Sequence, residues 1–102
     1  NVEAMAGNQK RVAQLLCEET PDLQALRAEF ATINNLFRFY DRPGQVRLYY
    51  ETDFGYLTVT AFPDALVVTV QREQSSETYR LQKQGDKLPA HVVELFAKLQ
   101  MQ

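Results

Sequence analysis

His91 is the only histidine of the chain and Cys17 the only cysteine. A metal centre needs several such ligands at fitting spacing, and one of each, far apart, does not supply them. As a general base, His91 would need a nucleophile or an orienting acid, and its local sequence offers neither. It is read as a solvent-facing residue in the first turn of the last helix. Glu18 and Glu19 beside Cys17 oppose a thiolate, so Cys17 reads as a half-buried helix residue. Glu51, Asp53, Asp64 and Glu73 fall at strand ends, where carboxylates are usually solvated turn residues; acid–base chemistry would need two of them to converge. The four glycines are not clustered and form no phosphate cradle. The expectation is a non-enzymatic chain with no catalytic residue, no metal set and no cofactor.

Binding chemistry is better represented. Phe37, Phe39, Tyr40, Tyr49, Tyr50, Phe54 and Tyr56 gather aromatic side chains near Arg38, Arg42 and Arg47. Tyrosine and arginine are enriched at protein interfaces, which makes Arg38, Tyr40, Arg47 and Tyr49 a candidate partner surface. The competing reading is that most of these rings fill the corner between a helix and a sheet. Aromatic and basic interleaving can also stack single-stranded nucleic acid. With a net charge of −2 and no basic stripe, no nucleic-acid partner is expected.

The elements that must position these residues begin with an apolar seam. Leu23, Leu26, Phe30, Ile33, Phe37 and Tyr40 recur at three- and four-residue steps. Residues 8–19 read as a helix capped by Asn8, with Val12, Leu15 and Leu16 as its stripe. Thr20-Pro21-Asp22 is a second start signal, with threonine as cap and proline in the first turn. Either a break separates two helices at Pro21 or one long helix bends there. The residue before proline avoids the helical region, which favours a break or kink. The polar flanks of the seam keep it narrow, as in helix–helix packing. A dimer or partner-helix contact is therefore expected through Val12, Leu16, Leu23, Leu26 and Phe30. From Ile33 onward the seam is expected to join the sheet core.

Asp41-Arg42-Pro43-Gly44 is a turn by composition, and the period then changes to two. Strands are expected over 45–51, 56–62, 65–72 and 77–82, joined by short turns that force antiparallel neighbours. Gly55 can supply the positive φ of the first hairpin. One side of strands two and three is purely aliphatic, with Leu57, Val59, Ala61, Leu66, Val68 and Val70, and should meet the helices. The other carries Tyr56, Thr58, Thr60, Phe62, Val67, Thr69 and Gln71, the mixed face of a half-exposed sheet. Pro89 opens a last helix whose apolar face is Leu88, Val92, Leu95, Phe96 and Leu99.

With 102 residues, 45% hydrophobic and 24% charged, the chain fits one folded domain and not a disordered one. The fold class is α+β: an N-terminal helix or kinked helix pair, a four-stranded antiparallel meander and a C-terminal helix. Residues 1–7 read as a tag remnant or cut end, 8–40 as the helical segment with the seam, and 41–102 as the sheet plus final helix, one folding unit with 21–40. A single cysteine allows no internal disulfide, which fits a reducing compartment. No stretch approaches a membrane span and no signal-peptide order opens the chain, so no membrane association and an intracellular site, cytoplasmic or nuclear, are expected.

The order of narrow helical seam, four-strand meander and terminal helix resembles the RWD-like domains that cap coiled coils in kinetochore and spindle-checkpoint proteins. The resemblance covers most of the chain in layout only, and the proline-rich turn of RWD domains in ubiquitin-pathway proteins is missing. It implies a dimeric, non-enzymatic adaptor at a chromosome-segregation complex, binding a protein as homo- or heterodimer. A bacterial dimeric adaptor or secretion chaperone is the first alternative, although such chaperones usually place a helix between their strands. A small ligand-binding sensor using the mixed sheet face is the second.

Overall fold

The computed structural model describes residues 2–37 and 45–101, with side chains for 6–36 and 45–101. The element order is α1 (Val2–Leu16), α2 (Leu23–Phe37), β1 (Arg47–Glu51), β2 (Gly55–Ala61), β3 (Leu66–Arg72), β4 (Ser76–Leu81) and α3 (Ala90–Leu99). This is the α+β layout expected from the two periodicities.

The chain breaks at Pro21. The start of α2 is set by Asp22, not Thr20: its Oδ1 accepts the Ala25 N–H at 3.0 Å while its carbonyl accepts Leu26 N–H. A side-chain acceptor here satisfies one of the donors a helix N-terminus leaves free. Gln84, in the loop after β4, clamps the same corner. Its Oε1 accepts Leu23 N–H and its Nε2 donates to the Pro21 carbonyl, each at 3.0 Å. The first helix begins at Val2, so the expected boundary and cap at Asn8 are corrected. Asn8 lies within α1, and its Nδ2 donates to Glu29 Oε2 of α2 at 2.6 Å.

The four strands lie in the order β1-β2-β3-β4, each antiparallel to the next. Their ends fall within a residue or two of the expected ones. At the first hairpin, Thr52 N–H donates to Gly55 O. Gly55 has φ 152°, and a Cβ there would collide with the Gln71 carbonyl oxygen. Glycine is required by that contact as well as by the turn.

Register assigns every strand residue to a face. Leu48, Val59, Val68 and Tyr79 form one transverse row, and Tyr50, Leu57, Val70 and Glu77 the next. These rows, with Leu66 and Leu81, meet the helices. The core joins Leu57, Val59, Leu66, Val68 and Val70 to Val12, Leu16, Leu26, Ile33, Val92 and Phe96. Helix α1 packs against both α2 and α3. A large aliphatic side chain buried this way contributes about 1.5–3 kcal/mol.

That packing corrects the expected partner-helix contact. Val12, Leu16 and Leu26 are wholly buried inside this chain, and Leu23 and Phe30 nearly so. The narrow stripe on α2 does meet a helix, but that helix is α1 of the same chain. Ile33 joins the sheet core as expected, but Leu26 and Phe30 are buried in that same core, so the seam does not divide at Phe30; the side chains of Phe37 and Tyr40 lie outside the described residues. No described helix is long and apolar enough to cross a membrane.

Candidate interaction surface

Among the described residues, no helix lies over the opposite side of the sheet. Its rows are Arg47, Thr60, Val67 and Arg80; then Tyr49, Thr58, Thr69 and Thr78; then Glu51, Tyr56, Gln71 and Ser76. Alternation along each strand dictates this set, because neighbouring residues point to opposite faces. The mixed face read from the sequence is therefore the open face of the sheet.

Two tyrosines stand out on it. Tyr49 is 54% exposed and Tyr56 40% exposed, the largest exposed apolar side chains on the described strands. Their ring centroids are 5.8 Å apart with planes at 52°, a tilted pair. Diagonal placement on β1 and β2 brings them together: Tyr49 opposes Thr58, and Tyr56 lies two residues before Thr58. Beside them, Arg47 Nε donates to Thr60 Oγ1 at 3.1 Å, which holds the guanidinium against the sheet.

The threonines of β2 are almost buried although they point to the open side, at 6% for Thr58 and 3% for Thr60. Over Thr60 the Arg47 side chain is held by the bond to its hydroxyl. The surface between Arg47, Tyr49, Tyr56, Phe62 and Val67 is a shallow concavity of about 200 Å³. That is below the roughly 300–1,000 Å³ usual for small-molecule sites.

Of the expected partner-surface residues, Arg47 and Tyr49 lie on this face. Arg38 and Tyr40 lie outside the described residues, as do Phe39 and the expected turn at 41–44. The other aromatic residues divide between the two readings. Tyr50 is buried against Phe96, with centroids 5.8 Å apart and planes at 82°, and burial pushes its phenol pKa upward. Phe54 is covered by Arg72, whose guanidinium carbon lies 4.3 Å from the ring centroid.

A second cluster lies on the helix side, at the edge of the sheet. His91 Nε2 is 2.6 Å from Glu77 Oε1, and the Tyr79 hydroxyl donates to that same oxygen at 2.6 Å. Arg72 Nε is 3.8 Å from Glu77 Oε2. The Tyr79 hydroxyl, then His91 and Arg72, hold the Glu77 carboxyl below its ordinary range. Local sequence gives His91 no orienting acid, and the fold brings one from β4. The signal was not legible because the pair joins a strand to a helix across the β4–α3 loop. The cluster ties α3 to β4 through the shared Glu77 carboxylate. Cys17 is half-buried just past α1, with its Sγ 3.2 Å from the Ala13 carbonyl, and burial raises its pKa. Among the described residues, no group of three His, Cys, Asp or Glu side chains converges to hold a metal ion.

No protein-family model matches the chain, and neither curated proteins nor solved structures give a match.

Proposed function

We propose that this chain is a non-catalytic protein-interaction module that engages a partner protein through the open face of its sheet. The observation that carries the reading is the exposed Tyr49–Tyr56 pair beside Arg47. Amphipathic rings with few rotatable bonds, next to a guanidinium, are the side chains on which interface energy concentrates. The nearly buried threonine floor of Thr58 and Thr60 leaves no charge to desolvate between them. A shallow concavity favours a protein surface over a small ligand, which would need deeper enclosure.

An adaptor at a kinetochore or checkpoint complex is the role the RWD-like layout implies, and the proposal carries it on element order alone. The uninterrupted meander β1-β2-β3-β4 counts against a secretion-chaperone arrangement.

Site-specific photo-crosslinking tests the reading. A photoreactive residue at Tyr49 or Tyr56 should yield a discrete protein adduct in cells that express the chain, and one at Gln24 on the exposed side of α2 should not. Adducts from Gln24 with none from either tyrosine would overturn it.

A further inference from the structure

The two edges of the sheet are finished differently. On β1, helix α1 covers the edge at Tyr49: the Gln9 side-chain amide donates to the Tyr49 carbonyl, and the Tyr50 hydroxyl donates to the Gln9 carbonyl. On β4 no such cover exists among the described residues. The bond from Arg72 N–H to Ser75 O at 2.9 Å sets the phase of the β3–β4 ladder. Hydrogen-bonded pairs alternate along an antiparallel ladder, so Glu77, Tyr79 and Leu81 exchange bonds with β3. Ser76, Thr78 and Arg80 turn their main-chain N–H and C=O groups outward. None of the described hydrogen bonds reaches those groups. The strand contains no proline and no lysine, two residues that commonly block an edge.

The geometry points to a second copy of this chain as the occupant of that edge. Strand β4 pairs antiparallel with β4 of the other copy about a two-fold axis through Thr78, joining the two sheets into one. The choice of partner rests on self-complementarity. In this register Thr78 opposes Thr78 of the other copy, and Ser76 opposes Arg80, all with outward-facing main chains. On the helix side, Glu77 of each copy opposes Tyr79 of the other, a neutral side chain whose hydroxyl proton is already given to Glu77 of its own chain, so no like charges meet. Beyond the strand ends, the hairpin that carries Glu73 approaches Lys83 of the other copy. A slip of two residues one way sets Glu77 against Glu77, a like-charge pair that is destabilising. The opposite slip sets the Glu77 carboxylate against Leu81. One register therefore opposes neither like charges nor a carboxylate to an apolar side chain. The dimer contact expected of the helical seam is carried here by strand β4, and it stands independently of what the open face binds.

Sedimentation of the intact chain up to about 1 mM should show a reversible monomer–dimer equilibrium. Thr78→Lys and Thr78→Glu each place like charges across the axis, and each should raise the dimer dissociation constant by at least about tenfold. Mixed in equal amounts, the two should recover a heterodimer, which only a Thr78–Thr78 contact predicts. Thr78→Pro removes an outward N–H and should be monomeric with its β-sheet circular dichroism intact, because edge strands tolerate proline. Should a Thr78 variant lose that signal, Ser76→Arg, which opposes Arg80, serves in its place and should weaken the dimer similarly. A wild-type chain that stays monomeric throughout the range overturns the inference. So does a dimer that withstands the folded variants, or a Lys–Glu mixture that recovers nothing.

Discussion

The Tyr50 hydroxyl donates to the main-chain oxygen of Gln9 at 2.6 Å, fastening α1 to β1 while the ring packs edge-on against Phe96 of α3. One side chain thus joins both terminal helices to the first strand. Tyr50→Phe keeps the ring contact and deletes the bond, and should cost about 1 kcal/mol. The variant also alters the alkaline limb. Burial raises the Tyr50 pKa above its ordinary value of 10.0, so the folded state favours the neutral phenol. That contribution is complete below pH 10 and is lost as pH rises above it. Thermal melts from pH 8 to 11.5 should fall more steeply for the wild type than for Tyr50→Phe. Parallel curves would show that Tyr50 does not govern the alkaline limb.

Glu77 acts at the other end of the pH scale. Its carboxyl is held low by the Tyr79 hydroxyl first and by His91 next, with Arg72 adding a weaker attraction. A carboxylate with a depressed folded pKa contributes stability above its unfolded value, here 4.5, and loses it as pH falls through the folded value. Glu77→Gln should flatten the acid limb of a melting-temperature profile from about pH 4.5 downward. An unchanged acid limb would mean that these contacts do not persist in solution.

Leu26 distinguishes a core seam from a partner seam. It is wholly buried between the helices and the sheet. Leu26→Ala should therefore cost about 2–5 kcal/mol. Leu26→Asp should abolish the β-sheet circular dichroism, because a carboxylate at this position has no partner or water. A folded Leu26→Asp chain that merely loses self-association would return the seam to the surface.

What was legible in the sequence follows from what each pattern encodes. A two-residue period encodes a face, so the split between Leu57, Val59, Val68, Val70 and Tyr56, Thr58, Thr69 could be read before any contact was known. A stripe at three and four encodes a helix face but not what covers it. Leu23, Leu26 and Phe30 look the same against α1 of this chain as against a second molecule. The near-burial of Thr58 and Thr60 was hidden for a similar reason, since the neighbours of each, such as Arg47 at Thr60, are fixed only once register is set. Glu77 and His91 meet through a connection whose path no local rule predicts.

Gly55 tests the first hairpin. An added methyl group meets the Gln71 carbonyl, main-chain oxygen that cannot swing aside as a side chain could, and φ of 152° is strained for any other residue. Gly55→Ala should destabilise the chain by about 1–3 kcal/mol. Amide hydrogen exchange should rise first at Thr52, whose N–H donates to the Gly55 carbonyl across the turn. Protection equal to wild type at Thr52 would show that the β1–β2 hairpin adjusts without cost.

The open face should separate stability from binding. Tyr49 and Tyr56 support little of the core: they are 54% and 40% exposed, and their ring contact is chiefly with each other. Replacing both with serine removes one cross-strand aromatic pair and two exposed rings, a loss of about 1 kcal/mol or less in folding. At an interface the same rings would be desolvated against a partner, where each anchor is worth about 2 kcal/mol or more. The double variant should therefore melt within a few degrees of the wild type yet lose the adduct captured from position 47 when a photoreactive residue replaces Arg47. Partner capture that survives with both tyrosines gone would move the contact away from this pair. A large drop in melting temperature would show instead that the pair closes over Thr58 and Thr60 as part of the fold.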